Sequence, residues 1–207
     1  MSLFPFTLWH GTSAHFLPMM KEHGLGGSNP MADWRVMDFL ADALKILDVA
    51  EDDFAHPDIL DLQPIMAAVK GGAAGLNFEY GDVYVAGGYD KAAYYASIAP
   101  ELVSFVRTVL EVANRRGDSS VREGLSVYAR LEAFVGLAPK PIVLKLPPLP
   151  LSLFQDERGG EVQFPANFTG EVSEAFYSQM AYRLTTVIPF EGIEVVEVSD
   201  HKPSSNS

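Results

Sequence analysis

His10 stands in the stretch LWHGTS, residues 8 to 13, between a hydrophobic pair and a Gly-Thr-Ser turn. An imidazole is the side chain best suited to proton and hydroxyl work near neutral pH, although a lone histidine after a strand is ordinarily a plain hydrogen-bonded residue. A second stretch, GDVYVAGGYDKAAYYAS from Gly81 to Ser97, gathers four tyrosines and Lys91 around a Gly-Gly turn. Other chemistries are poorly served. The histidines at positions 10, 15, 23, 56 and 201 form no H-x-x-x-H or similar ligand spacing, and cysteine is absent, so no metal and no thiolate site is expected. Ser13 and His15 lie close in sequence but lack a nucleophile elbow. Neither a G-x-G-x-x-G helix start nor a Walker loop occurs, which argues against a Rossmann dinucleotide fold.

The elements that must position these residues can be read from spacing. FTLWH (6 to 10) reads as a short strand ending at His10, followed by a turn and a helix that Ser13 caps and Gly24 ends. Residues 31 to 75 read as a helical insertion, with Val36, Phe39, Leu40, Leu44 and Leu47 at near-helical spacing. DVYVA reads as a strand, and Asp90 as the N-cap of the helix carrying Tyr94 and Tyr95. Two more helices are expected over APELVSFVRTVLEVANRRG and SSVREGLSVYARLEAFVGL, then a strand at KPIVLKL and a late strand pair in VIPFEGIEVVEV. The order is strand-helix, helical block, strand-helix, two helices and then mainly strands, which is an α+β arrangement rather than a doubly wound sheet.

The composition fits one packed domain. The chain has 207 residues, 48% of them hydrophobic and only 20% charged. One domain over residues 1–200 is expected, with 201–207 a disordered polar tail. Fifteen Lys and Arg against 27 Asp and Glu give a net charge of −12, which opposes broad attraction to nucleic acid or anionic membranes. Nine acids between Asp33 and Asp61 face only Arg35 and Lys45, so this segment carries −7 of that charge. It is either a solvated helical face or a docking face for a basic partner. With no signal-like or membrane-length apolar run, a soluble cytoplasmic protein is expected.

Taken together, LWHGTS and GDVYVAGGYDKAAYYA resemble the ADP-ribosyltransferase superfamily of the His-Tyr-Glu type, the branch of the poly-ADP-ribose polymerases and diphtheria-like toxins. The resemblance implies that fold: a split mixed or antiparallel β-sheet with flanking helices, here with an acidic helical insertion. It also implies NAD as co-substrate. It puts His10 where the family's histidine binds the nicotinamide ribose, within a cofactor-binding His10-Gly11-Thr12-Ser13 segment whose Gly11 backbone holds the carboxamide. Tyr84 falls at the second triad position, Lys91 at the family's lysine, and Tyr95 where a tyrosine stacks on the nicotinamide ring. The serine that often binds the carboxamide corresponds to Ala92, a departure. YRLTTVIPFEGIEVVEV resembles the closing strands as a third, weaker island.

The larger departure is the catalytic glutamate. Counting back from Ile188-Pro189, its place falls on Ala181 or Tyr182, and neither is an acid. Gln179-Met180-Ala181 reads as a Gln-x-Glu motif, Gln179 serving substrate recognition, with the glutamate replaced by alanine as in an engineered variant. Alternatively Glu174 or Glu171 enters from the preceding loop, or the chain naturally lacks the residue and is weak or inactive. An anion matters because cleaving the nicotinamide-ribose bond builds positive charge on the sugar. The implied activity is NAD-dependent mono-ADP-ribosyl transfer, of the kind found in bacterial toxins, toxin-antitoxin pairs or phage defence. The acceptor is a protein, DNA or RNA, approached along the loop from Gln163 to Gln179 and the basic corner NRRG (114 to 117). An antitoxin or chaperone is an expected partner for the acidic segment. A degenerate binding protein is the alternative, and an RNA 2′-phosphotransferase a lesser one, since the chain has no Arg-His pair.

Overall fold

The computed structural model describes residues 2–49, 58–71, 82–98, 101–165 and 171–198, without the side chains of 101–102 and 171–174. In chain order the elements are β1 (Trp9–Ser13), α1 (Leu17–His23), α2 (Pro30–Asp33), α3 (Val36–Leu47), α4 (Ile59–Val69), β2 (Tyr84–Ala86) and α5 (Tyr89–Ser97). There follow α6 (Glu101–Arg115), α7 (Ser120–Leu125), α8 (Ala129–Val135), β3 (Pro141–Lys145), β4 (Phe154–Gln155), α9 (Glu171–Ser178), β5 (Ala181–Leu184) and β6 (Glu194–Glu197). The protein is mixed α+β. It forms two compact units, one of residues 1–28, 82–99 and 139–207, the other of 29–81 and 100–138.

The first unit is built on a six-stranded sheet of order β4-β5-β2-β1-β3-β6, antiparallel at every pairing. Its centre is uneven. β1 pairs with β3 along all five residues, from Trp9↔Lys145 to Ser13↔Pro141, but with β2 only at Trp9↔Ala86. α5 covers the face of β1 that carries Trp9 and Gly11. A Cβ on Gly11 would lie 1.8 Å from the Ala92 carbonyl oxygen and 2.8 Å from the Ala96 nitrogen, so the helix rests on the strand only because Gly11 has no side chain. At the other end of the sheet Phe4, Phe154 and Tyr182 meet edge to face, with Phe4 centroids 5.1 and 5.0 Å from the other two.

The second unit is helical. Val36, Phe39, Leu40 and Leu47 of α3 are buried against Val106, Val109 and Val112 of α6, Leu62 of α4 and Leu125 of α7. Each such side chain contributes roughly 1.5–3 kcal/mol of burial, which explains why apolar spacing alone foretells these helices. Leu44 packs at the margin, partly buried. The helical unit also takes in α6, α7 and α8, beyond the acidic insertion expected at 31 to 75; residues 72–75 lie outside the described residues, as does the tail 201–207.

Four local expectations are corrected. His10 does not end a strand: WHGTS is itself β1, because β3 offers it a partner at every residue, and the start at Phe6 is not strand. The N-cap of α5 is Gly88, extended at φ −117° and ψ 135°, and Asp90 lies inside the first turn. The second expected helix is two, α7 and α8, broken at Ser126–Tyr128, where the Ser126 hydroxyl donates back to the Glu123 carbonyl. Of the late strand pair only β6 is a full strand; Ile188 makes a single bridge to Leu25. Ser13 does cap, its hydroxyl accepting from the His15 N–H at 3.4 Å, but what it caps is the short 3₁₀ turn Ala14–Phe16; α1, which Gly24 ends as expected, has Phe16 as its N-cap with no side-chain bond.

Candidate active site at the opening between two strands

Hydrogen-bond direction alternates along an antiparallel strand, so two bonds fix it for the whole of β1. Leu146 donates to the Leu8 carbonyl at 2.9 Å and Ala14 to the Lys140 carbonyl at 2.8 Å. The backbones of Leu8, His10, Thr12 and Ala14 therefore face β3, and those of Trp9, Gly11 and Ser13 face β2. Beyond Trp9↔Ala86, however, β2 no longer pairs. Gly11 thus presents an N–H and a C=O toward an opening in the sheet. The same logic applies to β2: Leu184 donates to the Val83 carbonyl at 2.8 Å, so Val83 and Val85 face β5 while Tyr84 and Ala86 face β1.

His10 crosses this opening. Its Nδ1 lies 2.8 Å from the Tyr84 carbonyl oxygen, the atom a continued ladder would have given to Gly11. A carbonyl only accepts, so Nδ1 carries the proton and Nε2 is left as an acceptor. Burial pushes the His10 pKa below its ordinary value, and the bond to the Tyr84 carbonyl opposes this only in part. The result is a neutral imidazole of fixed tautomer. Its Nε2 can accept a hydrogen bond from a hydroxyl while the ring stays neutral.

The other residues singled out from sequence fall in three places. Around β1, Thr12 pairs with Ile142 of β3, Ser13 is buried and occupied as a cap, and Trp9 meets Tyr89 edge to face at 5.4 Å. Ala92, at the family's serine position, is 1% exposed against Gly11, where a larger residue would displace the helix. On α5, Tyr95 is 48% exposed with its ring 5.7 Å from that of Tyr94, leaving a phenol face available to a ligand. Tyr84 is partly buried opposite Arg183, which pairs with Asp82 at 2.7 Å.

The third place is the start of β5. Ala181 lies opposite Ala86, which lies opposite Trp9, so the expected glutamate position shares one row with the strand that carries His10. Its N–H donates to Oε1 of Glu157 at 2.7 Å. Lys91 donates to the Gln179 carbonyl and stands 3.9 Å from the same Glu157 oxygen. Glu157 carries no sequence signal of its own, since Asp-Glu-Arg-Gly-Gly (156 to 160) has the composition of a turn; Asp156 shapes that turn by accepting from Arg158 and Gly160, both at 2.8 Å. Tyr182, the alternative position, is core. It is 1% exposed, its hydroxyl donates to the Tyr177 carbonyl at 2.9 Å, and burial raises its pKa. The side chains of Glu171 and Glu174 lie outside the described residues.

In the helical unit the basic corner is already committed. Arg115 reaches Asp58 at 2.9 Å and Asp61 at 2.6 Å, and Arg116 reaches Asp58 at 2.9 Å and donates to the Leu47 carbonyl. At NRRG, where a basic path is expected, both arginines are thus paired with acids of the same unit. Part of the acidic segment is likewise neutralised, by Arg35 on Asp38 at 2.7 Å and Lys45 on Asp42 at 3.0 Å. Among the described residues no helix is long and apolar enough to cross a membrane. No family model, curated protein or solved structure matches this chain.

Proposed function

We propose that this chain binds NAD at the opening between β1 and β2 and transfers its ADP-ribose, as a mono-ADP-ribosyltransferase of the His-Tyr-Glu type. One observation carries the reading: the His10 Nδ1 lies 2.8 Å from the Tyr84 carbonyl, which leaves Nε2 as the acceptor of a residue next to Gly11, where β1 and β2 have stopped pairing. That combination suits a nicotinamide riboside, with a ribose hydroxyl donating to Nε2 and the carboxamide meeting the N–H and C=O of Gly11. Tyr95 offers its exposed face to the cationic pyridinium, a contact worth about 1–2 kcal/mol once desolvated. In the reaction the ribose C1′ to pyridinium nitrogen bond breaks and its electron pair neutralises the nicotinamide. The ribosyl cation is taken by the acceptor's nucleophile, which gives up a proton. The setting is a cytoplasmic toxin, toxin-antitoxin or phage-defence effector, its acceptor a protein or nucleic acid.

Labelled NAD incubated with the chain and a cell extract tests this. Released nicotinamide and a labelled acceptor, both lost in His10→Ala, are expected; a chain that binds no NAD at all contradicts the reading. A second reading, an NAD-binding protein without transfer, is favoured by alanine at position 181. It predicts quenching of Trp9 fluorescence by NAD in a Trp34→Phe background with no nicotinamide released.

A further inference from the structure

We infer that Glu157 supplies the anion that stabilises the ribosyl cation, in place of a glutamate on β5; the inference rests on the NAD-transferase reading above. The strand position where that carboxylate is expected is Ala181, a methyl group. The pairing of β4 with β5 runs Phe154↔Leu184 and Gln155↔Arg183, and continued by two residues it would put position 157 opposite 181. The chain instead turns at Asp156, and the Glu157 side chain takes over the ladder: Oε1 accepts the Ala181 N–H at 2.7 Å. A carboxylate is thereby fixed at the backbone of the residue that lacks one.

Its surroundings favour a working anion. Lys91 is 3.9 Å from Oε1 and spends a hydrogen bond on the Gln179 carbonyl, so it orients the carboxylate without a close contact. The Glu157 side chain remains 37% exposed, enough to meet a ligand, while Lys91 is held in at 18%. Lys91 belongs to the first turn of α5, the helix that rests on Gly11, so one helix ties the carboxylate to the strand of His10. A charge held this way is preorganised toward the developing ribosyl cation, and a neutral oxygen in its place stabilises that cation far less. With water as acceptor, the step breaks the C1′ to nitrogen bond, passes its electron pair to nicotinamide and forms a C1′ to oxygen bond; the water proton leaves to solvent.

The test is Glu157→Gln, which keeps an oxygen to accept the Ala181 N–H and removes only the charge. Unmodified chain is expected to release nicotinamide from NAD. Glu157→Gln is expected to bind NAD by calorimetry within about twofold, to melt where the parent does, and to lose about 100-fold or more in kcat. Retained turnover in Glu157→Gln overturns the inference. So does a parent chain that binds NAD without cleaving it and gains cleavage on Ala181→Glu. Failure of the parent to bind NAD is a different result: it removes the transferase reading itself.

Discussion

The helical unit and the sheet unit treat their polar groups in opposite ways. In the first, the buried charge among the described residues is spent at once: Asp58, 7% exposed, is gripped by both Arg115 and Arg116, over an apolar cluster formed by α3, α4, α6 and α7. In the second, the sheet stops pairing at its centre, and the groups that pairing would have consumed are redirected. His10 takes the Tyr84 carbonyl, Glu157 takes the Ala181 N–H, and Gly11 keeps its backbone turned to the opening. Satisfied polar groups stabilise; redirected ones leave a remainder that can meet a ligand. The contrast is why the proposed site is sought in the sheet unit.

Gly11→Ala should break the comparison most severely. The added methyl meets the Ala92 carbonyl at 1.8 Å, backbone against backbone, so α5 must lift from β1. A loss of about 3 kcal/mol or more in chemical denaturation is expected, at the upper end of overpacking costs. His10→Ala should lower turnover by roughly 100-fold, about 3 kcal/mol, with a much smaller change in melting temperature. An equal loss of stability would make His10 a structural staple like Asp58.

Asp58→Asn should cost about 2 kcal/mol, because it leaves two arginines facing a neutral amide, moderated by the half-exposed Arg115. It should leave NAD cleavage unaltered. The acid responses differ in window. Burial by itself raises the Asp58 pKa, but hydrogen bonds from Arg115 and Arg116 outweigh it, and the folded value lies below the ordinary 3.8. Its stabilisation is present above that value and is lost as pH falls further, through the folded pKa. His10 also has a depressed folded pKa, but as a base kept neutral; its contribution is complete above about 6.5 and declines as pH falls below it. Melting curves between pH 7 and 3 should show an earlier, shallow loss that His10→Ala removes and a later one that Asp58→Asn removes. The smallest effect is expected from Tyr95→Ala, about 1 kcal/mol in NAD affinity by calorimetry, since the ring is half-exposed without ligand.

What could be read from sequence follows the range of the interactions. The buried faces of α3 and α6 are local periodicities, and the Ser13 cap involves a residue two positions away, so both were legible. The break between α7 and α8 was not, because apolar spacing at Leu125, Tyr128 and Leu131 continues through it. Nor was the true extent of β1, which depends on β3 more than a hundred residues later. At the site, residue types singled out His10 and Tyr84, but the bond between them involves a main-chain carbonyl, which any residue at position 84 would supply. Glu157 was illegible for the same reason: its partner is a backbone N–H 24 residues on. The pairing of Arg115 with Asp58 and Asp61 was illegible too, because those acids lie more than fifty residues earlier in the chain.

The most direct test of the opening between β1 and β2 is nitrogen NMR of His10 and Gly11 during titration with an NAD analogue that cannot be cleaved. The account predicts an imidazole protonated on Nδ1 throughout, with the Nε2 and Gly11 amide resonances moving together on binding while the paired amide of Leu146 stays still. An imidazole protonated on Nε2, or saturation of the analogue with the Gly11 amide unmoved, would contradict it.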